Sequence, residues 1–130
     1  MGRTTERTTP LTEMNFRGFD LNSASASVTV YESDSGVVFM NAYTSGNATY
    51  TLPSVADCAG KMFMFYNAKT DYYFIIDLAS GDTDKICCAD SIVGDTVHSA
   101  AEVGEWCWVL SDGTYFYVLE GHGTMTVTEE

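Results

Sequence analysis

Between Ser27 and Leu119 the chain alternates apolar and polar positions in short runs, and clusters of Gly, Ser, Asn, Asp and Pro separate them. A period of two sends successive side chains to opposite faces, so the pattern predicts strand after strand. Ser27–Glu32 sets Val28 and Val30 against Thr29 and Tyr31, then breaks at Ser33-Asp34-Ser35-Gly36. Val37–Tyr43 runs to Thr44-Ser45-Gly46-Asn47, and Ala48–Leu52 is stopped by Pro53. Ser54 to Ala59 reads as one helical turn with Ser54 as N-cap and Gly60 closing it. Lys61–Asn67 and Asp71–Leu78 read as a hairpin across Ala68-Lys69-Thr70, followed by a turn at Ser80-Gly81-Asp82-Thr83 and a short strand at Asp84–Ala89. Residues 90–102 read as a loop with one strand near Thr96–Ser99.

The sharpest local signal is a second hairpin. Glu105–Leu110 and Tyr115–Leu119 flank Ser111-Asp112-Gly113-Thr114, and Asp-Gly favours a two-residue type I′ turn. Such a loop pairs Leu110 with Tyr115, Trp108 with Tyr117 and Trp106 with Leu119. These six side chains then share one face, while Cys107, Val109, Phe116 and Val118 share the other. Both faces are apolar, whereas a strand at the edge of water shows one polar face. The hairpin is therefore expected to be covered twice, once by the core and once by a loop or a neighbouring subunit.

Taken together these elements predict an all-β domain, a β-sandwich or barrel-like antiparallel body over residues 18–130. No internal repeat of about 20–50 residues stands out, which argues against solenoids and propellers. Residues 1–13 are polar and Thr-rich, are interrupted by Pro10, and follow neither strand nor helix period, so a flexible, extended N-terminal arm is expected over residues 1–17. Phe16, Phe19 and Leu21 are the expected anchors where the arm joins the body.

Charge narrows the partners. The chain has 18 acids and 6 bases, a net −12, and three of the bases, Arg3, Arg7 and Arg17, lie in the arm. An acidic body repels nucleic acid and anionic headgroups, so neither nucleic acid nor membrane is an expected partner. No apolar stretch has the length of a membrane span, and the N-terminus has no apolar signal core, so synthesis in and release from a cytosol are expected. In that setting Cys58, Cys87, Cys88 and Cys107, with no C-x-x-C spacing, read as free thiols.

Catalysis requires a positioned nucleophile, base or metal. His98 and His122 have no partner motif, and no G-x-S-x-G, H-E-x-x-H or phosphate loop is present. Asp82 and Asp84 resemble half of a calcium loop without its remaining ligands. No enzyme activity, cofactor or metal is therefore expected. Trp106, Trp108, Tyr115 and Tyr117 also suit a platform on which sugar rings stack, which keeps a carbohydrate-binding module as an alternative.

The run Tyr50-Thr51-Leu52-Pro53, then Ala59-Gly60-Lys61 with Phe63 and Phe65-Tyr66-Asn67, resembles a module of bacteriophage virion proteins. Ser80-Gly81-Asp82-Thr83 with Ile86, and Ser111-Asp112-Gly113-Thr114 with Tyr115–Val118, extend the resemblance over a little more than half of the chain. Asp84-Lys85 before Ile86 and the Cys87-Cys88 pair depart from the pattern. The family includes capsid decoration (cement) proteins, head fibres and tail fibres. It implies a structural role on the outer capsid surface of a virion, with the major capsid protein and further copies of the chain, as a homotrimer, for partners. The small body and arm favour a decoration protein that bridges capsomers, with a short head or tail fibre or a receptor-recognition module as the alternative. Arg3, Arg7, Pro10 and Arg17 are the expected capsid-binding arm residues, and Trp106, Trp108, Leu110, Tyr115, Tyr117 and Leu119 the subunit or core hairpin.

Overall fold

The computed structural model describes residues 17–79, 84–88 and 91–128; the side chains of residues 91–93 lie outside this description. It contains twelve strands: β1 Gly18–Asn22, β2 Ser27–Thr29, β3 Val37–Asn41, β4 Ala48–Thr51, β5 Met62–Asn67, β6 Phe74–Asp77, β7 Ile86–Cys88, β8 Ser91–Gly94, β9 Thr96–His98, β10 Trp106–Ser111, β11 Phe116–His122 and β12 Thr126–Thr128. They form a seven-stranded sheet in the order β1-β3-β5-β10-β11-β7-β8 and a five-stranded sheet in the order β12-β9-β6-β4-β2.

The all-β class is as the pattern predicts, but the architecture is a β-solenoid. Strands β1 to β6 alternate between the two sheets, and β1, β3 and β5 pair in parallel, as do β2, β4 and β6. They form three stacked rungs. In the larger sheet Gly18 pairs with Val37 and Val38 with Met64, so the chain advances 19 and then 26 residues per turn. In the smaller sheet Ser27 pairs with Thr49, and Thr49 with Ile75.

This overturns three expectations at once. The body is neither an antiparallel sandwich nor a barrel, a solenoid is present, and β5 and β6 do not form a hairpin but lie in different sheets. The turn that separates them is a corner, where Asp71 adopts φ 73° and its N–H donates to Ala101 O. Uneven turn lengths conceal the repeat from a search at one fixed period. It is present in register, however: Ala26-Ser27-Val28-Thr29-Val30, Ala48-Thr49-Tyr50-Thr51-Leu52 and Phe74-Ile75-Ile76-Asp77-Leu78 stack rung upon rung.

At one corner of every rung stands an asparagine. Asn22, Asn41 and Asn67 are register partners and all are buried. Asn22 closes its own turn, accepting from Ser25 N (2.9 Å) and donating to Ser25 O (2.7 Å). Asn41 Nδ2 donates to Asn67 Oδ1 at 3.0 Å. Asn67 Nδ2 in turn faces the carbonyls of Lys69, Tyr72 and Glu102 at 3.0, 3.0 and 2.9 Å. A corner leaves backbone groups inside the protein where neither sheet reaches them, and the carboxamides satisfy them.

Between the sheets lies a core of Phe39, Tyr50, Phe63, Phe65, Phe74, Ile76, Val109 and Phe116 with smaller neighbours. Phe39 stacks on Phe65 of the next rung (5.3 Å), and Tyr50 meets both edge-on at 5.7 and 5.4 Å. The fully buried Tyr50 hydroxyl lies near Asn22 without a hydrogen bond of normal geometry, and burial pushes its pKa up to about 12.

Beyond the third rung the direction changes. Strand β10 runs antiparallel to β5, β11 returns beside β10, and β9 and β12 extend the smaller sheet. The sheets approach closely at this end. A Cβ on Gly94 would lie 2.1 Å from Val127 Cγ1 and 2.9 Å from Thr128 O, so only glycine fits there without a shift. Lys85 and Asp95 form an ion pair of 2.6 Å nearby.

The helical turn is a 3-10 turn at Val55–Asp57 with Ser54 as N-cap, but the Ser54 side chain does not cap it. Asp84 Oδ2 accepts from Val55 N (2.7 Å) instead. Asp84 thus serves a distant backbone group; Asp82 and the rest of the Ser80–Thr83 turn lie outside the described residues.

Asn67→Ala removes the acceptor for Asn41 and the donor for three carbonyls. It should cost about 3 kcal/mol or more, against about 1 kcal/mol for Asn22→Ala at the end of the ladder, measured as a shift in urea midpoint. Glu105, buried before β10, gives a second test. Burial raises its carboxyl pKa, the Glu102 charge adds to this, and the backbone N–H groups of Glu102 and Thr124 oppose it. A folded-state pKa above the unfolded value weakens the fold as pH rises through the unfolded value, with the penalty constant above the folded one. Glu105→Gln should therefore raise the melting temperature at pH 7, and the gain should vanish at about pH 4 and below.

Candidate protein-docking face

The hairpin carries its six residues on one face, as expected, although the pairing differs by two positions. Leu110 pairs with Tyr117 and Trp108 with Leu119, so Gly113-Thr114 forms the loop instead of Asp112-Gly113. The cause is local. The Asp112 carboxylate accepts from Thr114 N and Tyr115 N, both at 2.8 Å, and Ser111 Oγ accepts from Gly113 N at 3.1 Å. Asp112 therefore begins the turn, and Gly113 supplies its φ of 91°. A shift of two preserves the alternation: Cys107, Val109, Phe116 and Val118 enter the core, while Trp106, Trp108, Leu110, Tyr115, Tyr117 and Leu119 point outward.

Register carries this outer surface across the sheet in three rows. Phe19, Val38, Met64, Trp108 and Leu119 are successive partners across β1, β3, β5, β10 and β11. Leu21, Met40, Tyr66, Trp106 and His122 form the next row. Met62, Leu110, Tyr117 and Cys87 form the third. None of the fourteen positions bears a carboxylate, ammonium or guanidinium, in a chain of net charge −12.

The face is open to solvent along β1 and β11 and half-buried between them. Phe19 is 72% exposed, Leu21 62%, Leu119 50%, Tyr115 39% and Tyr117 38%, so no described segment covers them. Val38, between Phe19 and Met64, is already buried at 4%. The second cover expected for the hairpin is thus not a loop among the described residues, and Phe19 and Leu21 are not anchors in the core. The opposite surface shows that this is no general property of the fold. There the rows are Ser27, Thr49, Ile75, His98, Thr126 and Thr29, Thr51, Asp77, Thr96, Thr128, a Ser/Thr-rich face.

Details of packing hold the apolar face in place. The strand β11 bulges opposite Trp106, and a Cβ on Gly121 would lie 2.3 Å from the Trp106 ring, so the indole rests on bare backbone. Tyr117 donates to Asp112 Oδ2 at 3.0 Å and Tyr115 meets Tyr117 edge-on at 6.3 Å. The backbone N–H groups on Asp112 hold its carboxyl below the usual range, and the bond to Asp112 raises the Tyr117 phenol.

Arg17 stands at the rim beside Gly36, its guanidinium donating to Ser33 O and Ser35 O. Arg3, Arg7 and Pro10 lie outside the described residues. The histidines are separated: His98 tilts against Tyr73 (4.9 Å), and His122 ends the second row. Cys58 and Cys107 are buried thiols, Cys88 is buried with its Sγ donating to Met125 O (3.7 Å), and Cys87 is partly exposed on the apolar face. Among the described residues no group of three His, Cys, Asp or Glu is placed to hold a metal.

The turns at Ala59-Gly60 and Ser111–Gly113 meet. Gly60 N donates to Ser111 O (2.9 Å), Ser111 Oγ to Val55 O (3.4 Å), and Gly113 lies against Ala59. No protein-family model and no curated protein matches the sequence.

Burial raises the thiols of Cys58, Cys87 and Cys107, the first to about 11. With a disulfide-exchange reagent at pH 8 the native chain should release one equivalent of thiol, slowly, from Cys87, and four after denaturation. A Cys87→Ser variant should release none until unfolded.

Proposed function

We propose that the chain is a non-catalytic structural protein of a bacteriophage particle, a decoration (cement) protein on the outer capsid surface that bridges neighbouring capsomers. The observation that carries this reading is the uncharged, aromatic-rich face on an otherwise acidic body. Apolar surface of this extent marks a protein–protein contact, since monomeric proteins seldom leave it uncovered. The resemblance of residues 50–118 to virion modules supplies the setting.

In this reading the major capsid protein is the partner, and Arg3 and Arg7 in residues 1–16 meet carboxylates that the body repels. The contact opposes outward pressure from packaged DNA by burying surface at capsomer junctions. A second reading, a carbohydrate-binding module, draws on Tyr66 and Trp106 as register partners, with Tyr115 and Tyr117 on the same face.

Purified chain should co-sediment with capsids assembled without it, and deletion of residues 1–13 should weaken that binding at least tenfold, about 1.4 kcal/mol, with β-sheet circular dichroism unchanged. Charge reversal at Arg3 and Arg7 should weaken it in a salt-dependent way. Absence of capsid binding, with retention on a glycan array, would sink the decoration reading in favour of the second.

A further inference from the structure

We infer that the uncharged face pairs with the same face of a second copy, about a two-fold axis running along β5. This rests on the reading that the face is a protein-docking surface, and it names a second copy as the occupant, which leaves the capsid contact of that reading to Arg3 and Arg7. Three observations lead to it.

The first is charge. A chain of net −12 that associates with itself through most of its surface brings like charges together. Through the three rows it brings none. Such a face also gives a charged partner of another kind nothing to select, whereas it is complementary to itself.

The second is area. Two rows about 6.8 Å apart cross five strands about 4.8 Å apart, roughly 24 Å by 14 Å, and the third row adds the width of β5, β10 and β11. Two copies therefore cover roughly 850 Å² even before surface relief is counted, which approaches the size at which specific interfaces begin. One copy covers the face from β1 to β11, with Cys87 on β7 beyond its edge. In a threefold arrangement each copy would divide it between two neighbours, so the trimer expected from the virion resemblance gives way to a dimer.

The third is the rim. Arg17 borders the third row beside β1, and Asp112 borders the same row at the β10–β11 turn, on the opposite side of the face. Rotation about an axis along β5, the central strand of the five, exchanges β1 with β11 and keeps each row on itself. Phe19 then meets Leu119, and Arg17 of each copy approaches Asp112 of the other. The two sheets stack as aligned layers about 10 Å apart.

Sedimentation equilibrium of the full chain tests this. At 20 µM the wild type should have twice the 14.2 kDa chain mass. Leu119→Lys and Phe19→Lys, both at exposed positions, should each give a monomer with unchanged circular dichroism, dissociating at least 100-fold more readily. Thr29→Lys on the opposite face should leave the dimer intact. Arg17→Glu should weaken it about tenfold, with circular dichroism unchanged.

A monomer at 100 µM, a trimer mass, or a dimer that survives both lysine variants would overturn the inference. A wild-type monomer that still binds capsids would remove self-pairing and leave the docking reading standing. A monomer that binds no capsid would remove both.

Discussion

The fold depends on the asparagine column at the rung corners. A parallel coil must turn its chain between sheets, and each turn strands peptide groups in an interior without water. Asn22, Asn41 and Asn67 satisfy those groups and link the last two rungs side chain to side chain. They also fix register. A slip of one residue in β3 or β5 would carry Asn41 or Asn67 out of the interior and turn the aromatic core outward. The outward apolar face is therefore set by three buried amides that never touch it.

Polarity is then divided between the two outer surfaces. The same backbone arrangement presents Ser and Thr on one sheet and Phe, Leu, Met, Trp and Tyr on the other. Acidity elsewhere keeps such a molecule soluble while leaving one surface for contact. The apolar rows are also mechanically defined: Trp106 is seated by the Gly121 bulge, and Tyr117 is tethered to Asp112. Rigid aromatic side chains on a sheet lose little entropy when covered, which favours their use in an interface.

Much of the secondary structure was legible in the sequence, because period-two alternation reports directly on side-chain direction. Strands β3, β4, β5, β10 and β11 stand close to where the alternation put them. The face of the hairpin was legible too, since a register error of two leaves every side chain on its own side. What alternation cannot report is the partner of a strand. Lys61–Asn67 and Asp71–Leu78 looked like a hairpin because a six-residue corner and a short turn are alike in composition. The repeat was concealed by unequal turns, although Leu21-Asn22, Met40-Asn41 and Tyr66-Asn67, each an apolar residue before Asn at a strand end, were a usable signal. The breadth of the apolar face was missed for a related reason. Met62, Met64 and Tyr66 alternate with Phe63 and Phe65, the same two-sided signature as the hairpin, but without the pairing nothing joined them to Phe19 or Leu119.

The unequal turns have a consequence of their own. Since the corners tolerate advances of 19 and 26 residues while register is kept, rung number and loop length are independent variables. The antiparallel strands at one end close the stack once, whatever lies beneath them. An inserted or deleted rung would lengthen or shorten the body by one strand spacing, about 4.8 Å, and would add or remove one column of outward apolar side chains. Outward apolar surface in such a molecule changes in whole increments, so its extent can be adjusted by copying a segment and need not be rebuilt residue by residue.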